Sequence, residues 1–343
     1  GRRNAVLTRR MLSSSVAVIA LAVSGYLSPV RANEDCGNVV PDISGSATVT
    51  CGNALDPGKG PDVVYNDANN SPSSSTAFDF INTQVTGGVG SGSNRSGVRI
   101  STNEVNHYFT FNIDQQGAGA APVIYGTSFN DIGNVTSNGF QVRTSNDGSW
   151  IVFNVNQVDN LGVHGSGATF GGGKITANAD GSGARALANG IVLETKGAGA
   201  SVTATLDNML IYGGNATAKA TDGFNPPHAT AIANGLDIET HGDDAPVVVT
   251  QGSGIISGTL VAAYSDAGIS NTSPSSKATA IGLNVETSGT NAAVTITQNN
   301  DGEINGGKAT ATATSSSGSP SSKAWAIGLN VETSGTNAAV TIT

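Results

Sequence analysis

The stretch SSKATAIGLNVETSGTNAAVTIT, residues 275–297, returns at 321–343 with one change, Thr279 to Trp325. Two looser copies precede it, so that ANGIVLETKG, ANGLDIETHG, AIGLNVETSG and AIGLNVETSG align on Glu194, Glu239, Glu286 and Glu332, at steps of 45, 47 and 46 residues. A second half follows in turn as ASVTATLDNMLIYGG, APVVVTQGSGIISG and AAVTITQNNDGEINGG. Self-similarity at this period means an array of one supersecondary unit, in which neighbours bury what a single unit leaves exposed.

Inside the unit the period is two. Ile281, Leu283 and Val285 alternate with Gly282, Asn284 and Glu286, and Val294 and Ile296 alternate with Thr295 and Thr297. Ile327, Leu329, Val331, Val340 and Ile342 copy the pattern, which places one face of each strand in a core and the other outside. Ile232-Ala233-Asn234-Gly235-Leu236 stands where later copies have Ile281-Gly282-Leu283, read as a two-residue difference that keeps strand parity.

Three repeat architectures fit such a length. A propeller blade would carry its own Gly-His, Trp-Asp or kelch signatures, and tandem sandwiches need longer units with larger aromatic cores. A parallel β-helix stacks coils of about 20–25 residues at ~4.8 Å, which gives about two coils to each ~46-residue repeat. Its narrow core takes Val, Ile, Leu and Ala, and its corners take Gly and Asn; the 46 glycines, 5% aromatic and 12% charged residues suit that shape. The sequence therefore predicts an all-β chain built as a right-handed parallel β-helix, the hand following the bias of parallel crossovers. SNDGSW, NADGSG and NNDGEI read as bends, and SSSGSPSSK and NTSPSSK as loops leaving the array.

Upstream the alternation persists without exact copies. It places Phe109, Phe111 and Ile113, and then Ile151, Phe153 and Val155, on an apolar face, and these larger side chains imply a wider early body. Residues 96–182 are read as early coils, 183–343 as the repeat-bearing array, and the Ser, Gly and Asn-rich 66–95 as a loop or linker. Residues 33–65 form a segment holding both cysteines, Cys36 and Cys51.

The first 32 residues read as a signal peptide: Arg2, Arg3, Arg9 and Arg10 precede an apolar run from Val16 to Leu27, and Val30-Arg31-Ala32 offers a cleavage site. The apolar run is short for a retained membrane helix. Without residues 1–32 the chain has 11 basic against 25 acidic residues, a net charge of −14 that disfavours nucleic acid and anionic lipid as partners. In an exported chain, a disulfide between Cys36 and Cys51 is favoured over two free thiols, and closing so short a loop contributes about 3 kcal/mol. A zinc site would need ligands that the neighbourhood lacks.

Taken together, the signal peptide, the short Cys36–Cys51 loop and the Gly, Asn and Thr-rich strands resemble the passengers of classical bacterial autotransporters. The resemblance covers most of the mature chain. It implies a pertactin-like right-handed β-helix, passage through the periplasm to the bacterial cell surface or medium, and an outer-membrane β-barrel translocator in the same full-length chain. No membrane strands follow residue 343, and the sequence stops at Thr343 inside a repeat whose previous copy continued as QNNDGEINGG, so a truncated passenger is expected.

Catalytic motifs do not emerge. His107, His164, His228 and His241 are scattered and read as surface or corner residues; no Gly-x-Ser-x-Gly or His-Glu-x-x-His element accompanies them. The glutamate series could line a cation site or a glycan-cleaving cleft, but copies two coils apart would stand ~10 Å from one another, and a solvated face is the favoured reading. Trp325 is not assigned a site. The expectation is a passenger acting as an adhesin or self-association stalk, binding host surface molecules or its own copies, with no cofactor and no enzymatic activity; the alternative is a secreted carbohydrate-active β-helix enzyme.

Overall fold

The computed structural model describes residues 47–51, 63–67, 75–81, 84–85 and 94–343, apart from 104, 115–120, 127, 156–167, 181–182, 222–225, 269–271 and 300. The leader and Cys36 lie outside them, and so does the expected Cys36–Cys51 disulfide. Every described element is a strand, and every pair of neighbouring strands runs parallel. The strands stack into four sheets of eight, seven, six and five members, each ordered along the chain. One circuit visits all four: Gly183–Thr195, Val202–Leu206, Met209–Tyr212 and Asn215–Thr221, after which His228–Thr240 begins the next. This stacking order is consistent with a β-solenoid.

The pairing corrects the expected count of two coils in each repeat. Glu194 pairs directly with Glu239, Glu239 with Glu286 and Glu286 with Glu332, so equivalent residues of successive repeats sit on adjacent strands. A repeat is one circuit through four sheets, about twice the coil assumed from sequence, and the glutamates stand one strand spacing apart (~4.8 Å) instead of two. The two-residue offset also disappears: Asn234 pairs with Ile281 and Leu236 with Leu283, without a gap.

Two cores fill the interior. The larger joins the second half of each long strand, for example Ile191 and Leu193, to Val202, Ala204, Leu206, Met209 and Ile211 of the next two sheets. In the early circuits it is aromatic: Phe78, Phe80, Phe109, Phe111, Phe140, Phe153 and Phe170 are fully buried, and Phe140 has the rings of Phe111 and Phe153 within 5.3 Å and 5.2 Å. Phe109, Phe111, Ile113, Ile151, Phe153 and Val155 all face inward as the alternation predicts. The smaller core is almost all alanine, Ala184, Ala186 and Ala188 of one long strand meeting Ala216, Ala218 and Ala220 of the fourth sheet. Methyl-sized side chains let two sheets approach closely at native packing density.

The segment 66–95, read as a loop or linker, contains the strands Ser75–Ile81 and Gln84–Val85, and Phe78 and Phe80 lie in the large core. Their short alternation was masked by the surrounding Ser, Asn and Gly.

The turn after each long strand repeats one backbone solution. Gly148, Gly199, Asp244, Asn291 and Asn337 occupy it at φ between 54° and 67°, the left-handed region that Gly, Asn and Asp tolerate. The amides of Gly148, Gly199 and Asp244 each donate to a carbonyl of the next circuit at 2.7–2.8 Å. Thr195, Thr240 and Thr287 clamp the same turn by donating to Ala200, Ala245 and Ala292. SNDGSW is one of these bends, as the sequence predicts.

Candidate functional site

The long strands are where an outward surface becomes a site. In Gly183–Thr195 the inward residues are Ala184, Ala186 and Ala188 up to the middle, then Ile191 and Leu193. The step from 188 to 191 is odd, so strand parity flips at Gly190, and the flip divides the two cores. Glycine is required there by close approach of backbone: a Cβ on Gly190 would lie 2.6 Å from the Gly235 oxygen and 2.7 Å from the Tyr212 oxygen, and Gly139, Gly235 and Gly282 are equally confined. A column of glycines thus bends the whole sheet along one line.

The flip corrects the reading of Ile281 and Ile327. Alternation puts both on the inward face with Leu283 and Leu329, but they precede the glycine and line a cavity on the outer face. Simple alternation fails at these positions because the period restarts at the corner.

Outward residues near the bend are sheltered although no described element covers them, because the outer face is concave there. Asn138, Asn189 and Asn234 form a column at the corner, continued by Ile281 and Ile327. On one wall stand Thr136, Leu187, Ile232, Thr279 and Trp325; on the other, Gln141, Val192, Asp237, Asn284 and Asn330, with the glutamate series outside them. Two cavities of about 420 Å³ and 370 Å³ occupy this face and share Leu187, Asp237 and Glu239, so they form one groove crossing successive circuits.

Amides tie the corner and this second wall together along the array. Asn234 Nδ2 donates to Asp237 Oδ2 at 3.1 Å, Asn284 Nδ2 to Asp237 Oδ1 at 2.9 Å, and Asn330 Nδ2 to Asn284 Oδ1 at 2.8 Å. Burial pushes the Asp237 carboxyl up to about 7, with the negative charge of Glu239 adding to the effect and the two amide bonds opposing it. A carboxyl poised near neutrality can both donate and accept a hydrogen bond.

The glutamates are not the uniformly solvated face expected. Glu194 is buried, held by Arg143 Nε at 2.5 Å and Lys196 Nζ at 2.9 Å. Glu239 is half-buried and meets His241 Nε2 at 3.4 Å. Glu194, Glu239 and His241 bring one potential metal-ligand atom each within 4.8 Å of one another, yet a cation there would compete with Arg143 and Lys196 for Glu194.

The other histidines divide. His107, fully buried directly after the Asn106 turn with its ring 4.4 Å from that of Phe109, is a corner and not a surface residue; His228 bonds Ser275 Oγ at 2.6 Å; His164 lies outside the described residues. Trp325 lines the groove and carries Lys277 Nζ 5.2 Å from its ring centre. Sequence reasoning saw the glutamate column but missed Asp237, whose only signal was an acidic residue where later repeats have Asn284 and Asn330. Compared with known proteins, the chain matches no family model, no curated protein and no solved structure.

Proposed function

We propose that the protein is an exported, surface-displayed passenger of the autotransporter type: a closed, right-handed β-solenoid stalk whose bent outer face is the adhesive surface. The single observation that carries the adhesive part is the groove, which runs across consecutive circuits and presents a glutamate on each of four adjacent strands at strand spacing. Many equivalent contacts along an extended surface give avidity without one deep pocket. Parallel stacking in all four sheets supports the stalk, since hydrogen bonding propagates along the array. Export rests on residues 1–32 and the β-barrel translocator on the resemblance. The partner is a host surface molecule or a second copy of the chain; the mature acidity argues against nucleic acid.

The test is surface display in the native host, read by antibody accessibility on intact cells. Deleting residues 1–32 is expected to abolish the signal, and persistence of surface signal would overturn the export reading. A second reading, a carbohydrate-cleaving β-helix, is favoured by one observation: Asp237, raised to about 7, stands beside Glu239, the pairing of a proton donor with a carboxylate that glycoside hydrolysis uses. Release of reducing ends from a polysaccharide, lost in Asp237→Asn, would establish it.

A further inference from the structure

We propose that the groove binds an unbranched, neutral, β-1,4-linked oligosaccharide lying along the stacking direction of the strands, across at least three circuits. This rests on the reading of the groove as the binding face. The carrying observation is a set of buried polar atoms with nothing to bond. Asn189 Oδ1, Asn234 Oδ1 and Thr279 Oγ1 have no hydrogen-bond partner, although their residues are only 2%, 5% and 8% exposed. All three line the groove. Buried polar groups are ordinarily paired, so three orphans on one concave surface, on three consecutive strands, mark places that a ligand satisfies once the side chains turn towards it.

Their chemistry says what kind of ligand. Two of the three orphans are amide oxygens, which only accept, and the adjoining Asp237, Glu239 and Glu286 are carboxyl groups, so the floor calls for a partner rich in donors. One wall is more apolar: Leu187, Ile232 and Trp325 stand there beside Thr279, and Ile281 and Ile327 continue the corner column, so together they offer aliphatic and aromatic surface. A pyranose chain has this two-sided character, with hydroxyl donors at its edges and C–H groups on its faces. Its linear β-1,4 form is straight enough to follow columns repeating at ~4.8 Å.

Charge narrows the class further. Glu239, Glu286 and Glu332 would repel a uronic or sulfated chain. A basic peptide would satisfy acceptors too, but the protein already supplies cations, with Arg143 and Lys196 on Glu194 and Lys277 over Trp325. The orphan acceptors are also neutral and lie beside apolar wall, a setting for O–H more than for a charged ammonium.

The experiment titrates the full chain calorimetrically with cellohexaose, xylohexaose and mannohexaose, and with hexagalacturonate and hexalysine for comparison. At least one neutral hexasaccharide is expected to bind, with its trisaccharide at least tenfold weaker because it spans fewer circuits. Asn234→Ala is expected to weaken that binding about tenfold, the worth of one buried hydrogen bond. Thr205→Ala, exposed on another sheet, should bind as the parent does. If Asn234→Ala unfolds, Trp325→Ala, at a half-exposed wall position, replaces it and should also weaken binding. No binding by any neutral hexasaccharide overturns the proposal, as does preference for hexalysine or hexagalacturonate, or unchanged affinity in the groove variants. Surface display with no glycan binding would refute the ligand class alone, whereas glycan binding without display would refute the export reading alone.

Discussion

Asp237→Asn should make the protein more stable at neutral pH and flatten its pH dependence. The carboxyl has an ordinary value of 3.8 and is raised to about 7 in the fold, chiefly by burial and then by Glu239. Between those two values the folded state keeps a proton that the unfolded chain has released. Stability contributed by this group is therefore complete below about pH 4 and is lost as pH rises towards 7. A displacement of about three pH units, at about 1.4 kcal/mol each, makes the penalty for ionised Asp237 about 4 kcal/mol at pH 8. Asparagine removes the ionisation, and the site accepts its shape, since Asn284 and Asn330 hold the paired positions on the next two strands. The Asn284 Nδ2 bond to Oδ1 survives, and a rotated Asn234 amide can accept from the new NH₂ through its unpartnered Oδ1. Urea unfolding of parent and variant between pH 4 and pH 8 reads the effect, and the difference between the two cancels the titrating groups that do not interact with Asp237. Curves that stay parallel across this interval, or a variant less stable at pH 8, would refute the burial argument.

Other substitutions probe the elements that make the groove. Gly235→Ala puts a Cβ 2.7 Å from the Gly282 oxygen and 2.9 Å from the Ser257 oxygen, both backbone atoms that cannot swing aside; a loss of about 2 kcal/mol or more is expected by urea unfolding. Gly183→Ala, whose nearest neighbour would be at 3.7 Å, should stay within about 0.5 kcal/mol of the parent. Phe140→Ala removes the ring around which Phe80, Phe111, Phe153 and Phe170 pack, and should cost about 3–5 kcal/mol in the same assay.

Asp237 also shows why a site can be poorly adapted to stability. A carboxyl that Asn replaces in the neighbouring repeats is kept at a position where ionisation opposes folding, the usual sign of a trade between stability and a role in binding or chemistry. The adjoining orphans, Asn189, Asn234 and Thr279, carry the same meaning. An amide column fully paired along the array, as between Asn284 and Asn330, would have sufficed for the fold alone.

Local pattern was enough to set the class of structure. Strict alternation in Val294–Gln298 or Trp150–Val155 is a local property, because successive side chains of a strand point to opposite faces whatever lies around them. The repeat of Glu194, Glu239, Glu286 and Glu332 likewise announced an array, and the Asn, Asp and Gly at its bends announced the turns. What alternation cannot carry is how much chain closes one circuit, since that depends on which distant strands pair; only the register of Glu194 with Glu239 decided it. Nor can it carry the corner. Gly190 has nothing in its own residue type to distinguish a turn glycine from one in mid-strand; the carbonyls of Gly235, in the next circuit, and of Tyr212, in another sheet, make its missing side chain necessary. That long-range contact turns Ile281 outward, brings Asn234 beside Asp237, and makes a groove from a face that the sequence presents as an ordinary polar strand edge.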